Sequence, residues 1–229
     1  MPPTVDIVIK SYPPDYGWLA YCLKSIAKYA SGFNDVIVML PRSAPLNLTL
    51  EKTVYLDTPE GYLQQQVAKL NADLHTGADY VLHVDSDMVF TRSFSPKDFF
   101  HAGKPIWSIG PFDPESKKAW YHVMAKCLQE CPPYEFMRKC AVLVPRDLYA
   151  KLREFIEQTH CISMDAYVMS QPGHEFSEYN CLGFYAWLKH RDRFHWQEIN
   201  GKEDWPWIQH WSWGGLTPEI RQKLEEITK

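Results

Sequence analysis

Short apolar runs alternate with helical spacings through the first ninety residues. Val5-Asp6-Ile7-Val8-Ile9 predicts a strand that stops at Lys10-Ser11-Tyr12-Pro13-Pro14. Trp18, Leu19, Cys22, Leu23, Ile26 and Tyr29 then recur at three- and four-residue spacing, which predicts a helix with Asp15 as its N-cap. Asp35 to Pro41 reads as a second strand and Thr53 to Leu56 as a third. A helix over 62–75 follows, with Leu63, Val67, Leu70 and Leu74 on its inner face, and Gly77-Ala78-Asp79 breaks it. The next strand, Tyr80 to Phe90, is apolar except where it delivers Asp85 and Asp87. This alternation predicts an α/β, Rossmann-like domain with a central, mostly parallel mixed sheet flanked by helices. Such sheets bind ligands outside the carboxyl ends of their strands. Lys10-Ser11-Tyr12 and Asp85-Ser86-Asp87 both fall there.

The second half is less regular. Ile106 to Gly110 and Cys140 to Val144 read as strands, with helices over 117–131 and 147–158. A helix opening at Glu175 runs to about His190, and Thr217-Pro218 starts a last one. No linker or repeat interrupts the chain, so a single domain over 1–229 is expected. Within it the regular first half spans about 1–95, the less regular part about 96–215, and a C-terminal helix about 217–229.

Composition narrows the choice of partners. With 229 residues, 45% of them hydrophobic, the chain can bury roughly 70–75% of its unfolded surface. A formal net charge of -4 argues against a general nucleic-acid binder. No apolar run approaches the ~20 residues that span a bilayer. Met1 to Asp6 shows no basic-then-apolar signal pattern, and the six cysteines are scattered, so reduced thiols in a cytoplasm are expected.

Asp85 and Asp87 carry the candidate chemistry. An ionised carboxylate buried without a partner costs several kcal/mol, so two of them at a strand end require a cation opposite. A plain turn, with Asp85 capping a backbone group and Asp87 solvated, satisfies the triplet equally well. A phosphohydrolase with Asp85 as nucleophile is a second alternative, although its motif belongs after the first strand rather than the fourth. The cluster Trp196, Trp205, Trp207, Trp211 and Trp213 suggests a third, a non-catalytic glycan-binding module, although tryptophans also build cores.

Three ordered segments favour a different reading. Gly61-Tyr62-Leu63-Gln64-Gln65-Gln66-Val67-Ala68-Lys69-Leu70, then Asp79 to Phe90, then Ser177-Glu178-Tyr179-Asn180 with Gly183-Phe184-Tyr185, resemble Asp-x-Asp glycosyltransferases of the GT-A fold. The likeness is to a bacterial and viral group that includes the chlorella-virus domain decorating capsid protein, and it extends from Val5 to about Gly214. It implies transfer of a sugar from a nucleotide-diphosphate donor, a UDP-sugar first, to a glycan or glycoprotein hydroxyl, in host cytoplasm if viral. It implies Mn²⁺ or Mg²⁺ held by Asp85, Asp87 and His210, the imidazole tilting the choice towards Mn²⁺. Lys10, Ser11, Tyr12, Gln66, Lys69, Asp85, Ser86 and Arg138 are then expected to bind the donor. Glu178, with Asp87, is the catalytic candidate, and Asp165 and Asp113 are reserves.

Overall fold

The computed structural model describes residues 3–46, 48, 52–57, 61–113, 115, 118–138, 141–199 and 204–229. In chain order its elements are β1 (Val5–Lys10), α1 (Tyr16–Tyr29), β2 (Val36–Pro41), β3 (Lys52–Leu56), α2 (Tyr62–Leu70), β4 (Tyr80–Asp85) and β5 (Met88–Phe90). There follow β6 (Phe100–His101), β7 (Lys104–Pro111), α3 (Lys118–Leu128), β8 (Tyr134–Glu135), β9 (Val142–Pro145), α4 (Arg146–His160) and α5 (Met164–Met169). The chain ends with α6 (Glu178–His190), β10 (His195–Glu198), β11 (Trp207–Gln209) and α7 (Pro218–Thr228). Lys117 and Cys140, placed by the sequence at the starts of α3 and β9, lie outside the described residues.

The main sheet has the order β3-β2-β1-β4-β9, parallel throughout except for β9. This is the mixed α/β sheet flanked by helices that the sequence predicts. β1 is buried because a parallel strand is covered on both faces. Its one acid, Asp6, is satisfied by Asn34, by the amide of Asp35 and by the Thr76 hydroxyl. Lys10 is the register partner of Asp85, so the two strand ends are flush.

A second sheet joins β7 to β10, β6 and β8, and one continuous core runs from Val5 to Trp207. The two-stranded pair β5–β11 matters most for the site. β5 continues the chain beyond Asp87, and its antiparallel pairing with Trp207–Gln209 carries the late segment back to the carboxylates.

Two expectations fail locally. The second helix stops at Leu70 and the chain tightens into a 3-10 turn over Ala72–His75. That change of period turns Leu74 outward, 67% exposed, while Ala72 is buried in its place. The helix expected from Glu175 starts instead at Glu178, where the Ser177 hydroxyl accepts a hydrogen bond from the Asn180 amide at 3.3 Å.

Gly183 lets α6 approach the second sheet. A Cβ there would lie 2.5 Å from Phe136 Cβ and 2.8 Å from Trp107 Cζ2, both buried. Gly183→Ala is expected to lower stability by about 1–3 kcal/mol in urea unfolding, although alanine is intrinsically the better helix former by ~1 kcal/mol. An unchanged or raised midpoint would show that the contact relaxes.

Candidate functional site

Lys69 stands at the centre of a buried ion cluster. It points from the last turn of α2, and its Nζ donates to Asp85 Oδ1 at 2.7 Å and to Glu178 Oε1 at 2.8 Å. Its side chain is only 4% exposed and lies 4.6 Å from the ring centre of Tyr179. Burial alone would lower its pKa, but Asp85 and Glu178 hold it well above the ordinary lysine value. Tyr179 Oη donates to Asp85 Oδ1 at 3.2 Å and Gln209 Nε2 to Oδ2 at 3.3 Å. Gln66, one turn before Lys69, accepts from the Glu178 amide at 2.8 Å and so locks α2 to α6.

The predicted Gln66, Lys69, Asp85 and Glu178 are therefore brought together, but facing one another. Lys69 is spent on two carboxylates, and Glu178 is buried against Lys69. Behind them His83 shares a 2.5 Å hydrogen bond with Tyr149 Oη, and burial together with Lys69 pushes its pKa down to about 3. It is a neutral core residue.

Asp87 is in a different position. It is 8% exposed, its Oδ2 accepts from the Ser212 amide at 3.1 Å, and its Oδ1 is buried with no hydrogen-bond partner. Burial, then the charges of Asp85 and Asp15, push its pKa up to about 7. Asp15 is a residue that sequence reasoning missed. Its side chain makes no cap bond to α1; Ser212 and Ser86 lie near its carboxylate, and the charges of Asp85 and Lys10 act on it. Its own pKa is raised, first by burial.

A cavity of about 360 Å³ adjoins these strand ends. The predicted Lys10, Ser11 and Tyr12 line it, with Leu56, Tyr62, Gln64, Gln65 and His174. Ser11 is 1% exposed, and its hydroxyl has no partner. Tyr62 and His174 had no assigned role in the sequence reading, although Tyr62 lay inside a quoted segment. Their rings sit 4.6 Å apart, with Tyr62 Oη donating to the Phe176 carbonyl and Trp120 Nε1 to that of His174. A left-handed backbone at His174 (φ 64°) sets that wall.

The remaining candidates fall elsewhere. The imidazole of His210 stacks on Trp18, 5.3 Å between ring centres, and its Nε2 is buried without a hydrogen-bond partner. Only its backbone amide reaches the site, donating to the Asp87 carbonyl at 3.0 Å. The strand explains this. Gln209 faces Asp85, so Ile208 and His210, on the opposite face, pack towards Trp18. Arg138 Nη1 donates to the buried Glu135 at 2.8 Å. Asp165 accepts from Asn71, and Asp113 from the Glu115 amide in its own turn. Of the five tryptophans, Trp196, Trp205 and Trp207 pack into the core, while Trp211 and Trp213 are exposed.

Among the described residues no three His, Cys, Asp or Glu side chains are grouped so that they could hold a metal ion. The carboxylates whose charges act on Asp87, namely Asp85 and Asp15, are hard oxygen donors like Asp87 itself, a donor type that fits Mg²⁺ or Mn²⁺ in chemistry.

Fold and site together define a Rossmann-like α/β domain with a ligand-sized cavity and an acidic cluster at the ends of its parallel strands. Among the described residues no helix is long and apolar enough to cross a membrane. The chain belongs to a family of unknown function, DUF6492, whose model matches residues 23–206. The match takes in Lys69, Asp85, Asp87 and Glu178, and stops short of Asp15 and Ser212 on either side. No curated protein matches the chain.

Proposed function

We propose that the protein is a metal-dependent glycosyltransferase that moves a sugar from a nucleotide-diphosphate donor, a UDP-sugar first, to a glycan or glycoprotein hydroxyl. The observation that carries the reading is the buried, unpartnered Asp87 Oδ1 beside Asp85 and Asp15, next to a cavity with an unpartnered Ser11 hydroxyl. Charge supports it. Asp15, Asp85, Asp87 and Glu178 gather against Lys10 and Lys69, which leaves two negative charges when all are ionised. Asp85 and Asp87 would hold a divalent cation that cancels these charges and, when bound, would supply positive charge against a leaving diphosphate. With the His210 imidazole turned away, the donors favour Mg²⁺ and Mn²⁺ alike.

In this reading the cavity takes the nucleoside, with the rings of Tyr12, Tyr62 and His174 available for stacking and the Ser11 hydroxyl for a hydrogen bond. Glu178 positions Lys69 and Asp85. Asp15, the half-buried carboxylate of the cluster, then takes the incoming hydroxyl's proton, a task its raised pKa suits. Asp85 is a poor phosphohydrolase nucleophile, since Lys69, Tyr179 and Gln209 engage both its oxygens. Five free cysteines among the described residues accord with a cytoplasmic setting.

A thermal-shift screen of UDP- and GDP-sugars with and without Mn²⁺ or Mg²⁺ tests the proposal. At 100 times its dissociation constant a ligand stabilises by ~2.7 kcal/mol. The shift is expected to require metal and to vanish in Asp87→Ala together with sugar transfer. No shift with any nucleotide sugar would overturn the assignment.

A further inference from the structure

We infer that Trp211 and Trp213 form a carbohydrate-binding platform that seats the acceptor beside the carboxylates. The identity of this ligand as acceptor rests on the transferase reading above; the binding of sugar to the two indoles does not.

Trp211 is 63% exposed and Trp213 86%, whereas Trp196, Trp205 and Trp207 of the same aromatic-rich stretch pack against the core. Exposure of two large rings in one turn costs solvation that a buried arrangement would avoid, so it points to a partner. The turn is also fixed. Gly214 and Gly215 amides donate to the Trp211 and Ser212 carbonyls at 2.9 Å, closing a 3-10 turn over Ser212–Gly214. Ser212, the residue between the two rings, donates its amide to Asp87 Oδ2 at 3.1 Å. The platform is therefore tied through one residue to Asp87, a carboxylate not paired with Lys69.

Size and chemistry select the occupant. Two indoles of roughly 150–250 Å² each, at these exposures, present roughly 200–400 Å², well short of the ~800 Å² that one side of a stable protein interface covers. One or two sugar rings fit that area, with their C–H faces on the indoles. Nothing within 4 Å of a Cβ built at Gly214 or Gly215 crowds the approach. A net charge of -4 disfavours the other partner of exposed tryptophans, an anionic membrane surface.

The test needs neither nucleotide nor metal. Indole N–H resonances of the ¹⁵N-labelled protein are assigned with Trp211→Phe and Trp213→Phe, then followed during titration with a panel of free mono- and disaccharides. The Trp211 and Trp213 signals are expected to shift saturably with at least one sugar, and Trp213→Ala to weaken that sugar's binding by about tenfold or more. Trp213→Phe, which keeps an aromatic face, should recover part of the loss. Both variants should melt with the wild type, because the ring is outside the core. Indole signals unmoved by every sugar at high millimolar concentration, or moved only by anionic phospholipid vesicles, would overturn the platform. Sugar binding without any nucleotide-dependent thermal shift would keep the platform and sink the transferase reading alone.

Discussion

Lys69→Met is expected to lower stability by about 3–5 kcal/mol, the effect of leaving buried carboxylates without their counter-ion. The lysine is enclosed by two acids at 2.7 and 2.8 Å, with Glu178 3% and Asp85 20% exposed at the side chain. Water cannot replace it well at Glu178, and the Tyr179 ring over the ammonium offers nothing to a carboxylate. Methionine fills much the same volume, so the loss is electrostatic rather than a cavity. Adding Glu178→Gln to Lys69→Met removes one stranded charge and should recover a large part of the loss. Urea unfolding at neutral pH measures both variants. A loss under about 1 kcal/mol for the single change would mean that the cluster is solvated and that Lys69 is free to act on a ligand.

How much of this was legible depends on how local each signal was. The parallel sheet was readable because its strands are continuous apolar runs separated by helical spacings. The hub was partly readable too: Gln66 and Lys69 share one helix face, and Asp85 must sit at a strand end. That they meet Glu178 face to face is a tertiary fact, set by the packing of α2 on α6. Asp15 was masked by a strong local alternative, since an acid before a helix normally caps it; here its side chain makes no cap bond and lies within the field of Asp85, Asp87 and Lys10. His210 was read as a ligand because a histidine near glycines is a tempting one, whereas the structure stacks its ring on Trp18. The period-two alternation of β11 carried the correct answer once its pairing with β5 is known. His174 gave no signal, because its place depends on a left-handed backbone and on the Trp120 indole that donates to its carbonyl.

The Asp87 environment makes the second large effect a pH dependence of the metal-free protein. Its folded pKa of about 7 lies above the ordinary 3.8, through burial first and the neighbouring Asp85 charge second. A raised carboxylate pKa means that the folded state holds a proton the unfolded chain has already released. Its stabilising contribution is thus complete below about pH 4, falls as pH rises, and is gone above about pH 7. Between pH 5 and 8 the loss amounts to about 3 kcal/mol, from a slope of ~1.4 kcal/mol per pH unit while only the folded state is protonated. Asp87→Asn, similar in shape and uncharged, should lose none of this. The difference between wild type and variant isolates Asp87 from Asp15, whose raised pKa pushes in the same direction. In the presence of a chelator, the variant is therefore expected to be the more stable protein at pH 8, its advantage shrinking towards pH 5. Mn²⁺ at pH 8 should reverse the order, since only the wild type presents a charged Asp87 to bind it. Parallel stability curves for the two proteins from pH 5 to 8 would show that Asp87 is already compensated. The unpartnered oxygen would then need no cation, and the proposed function would lose its main support.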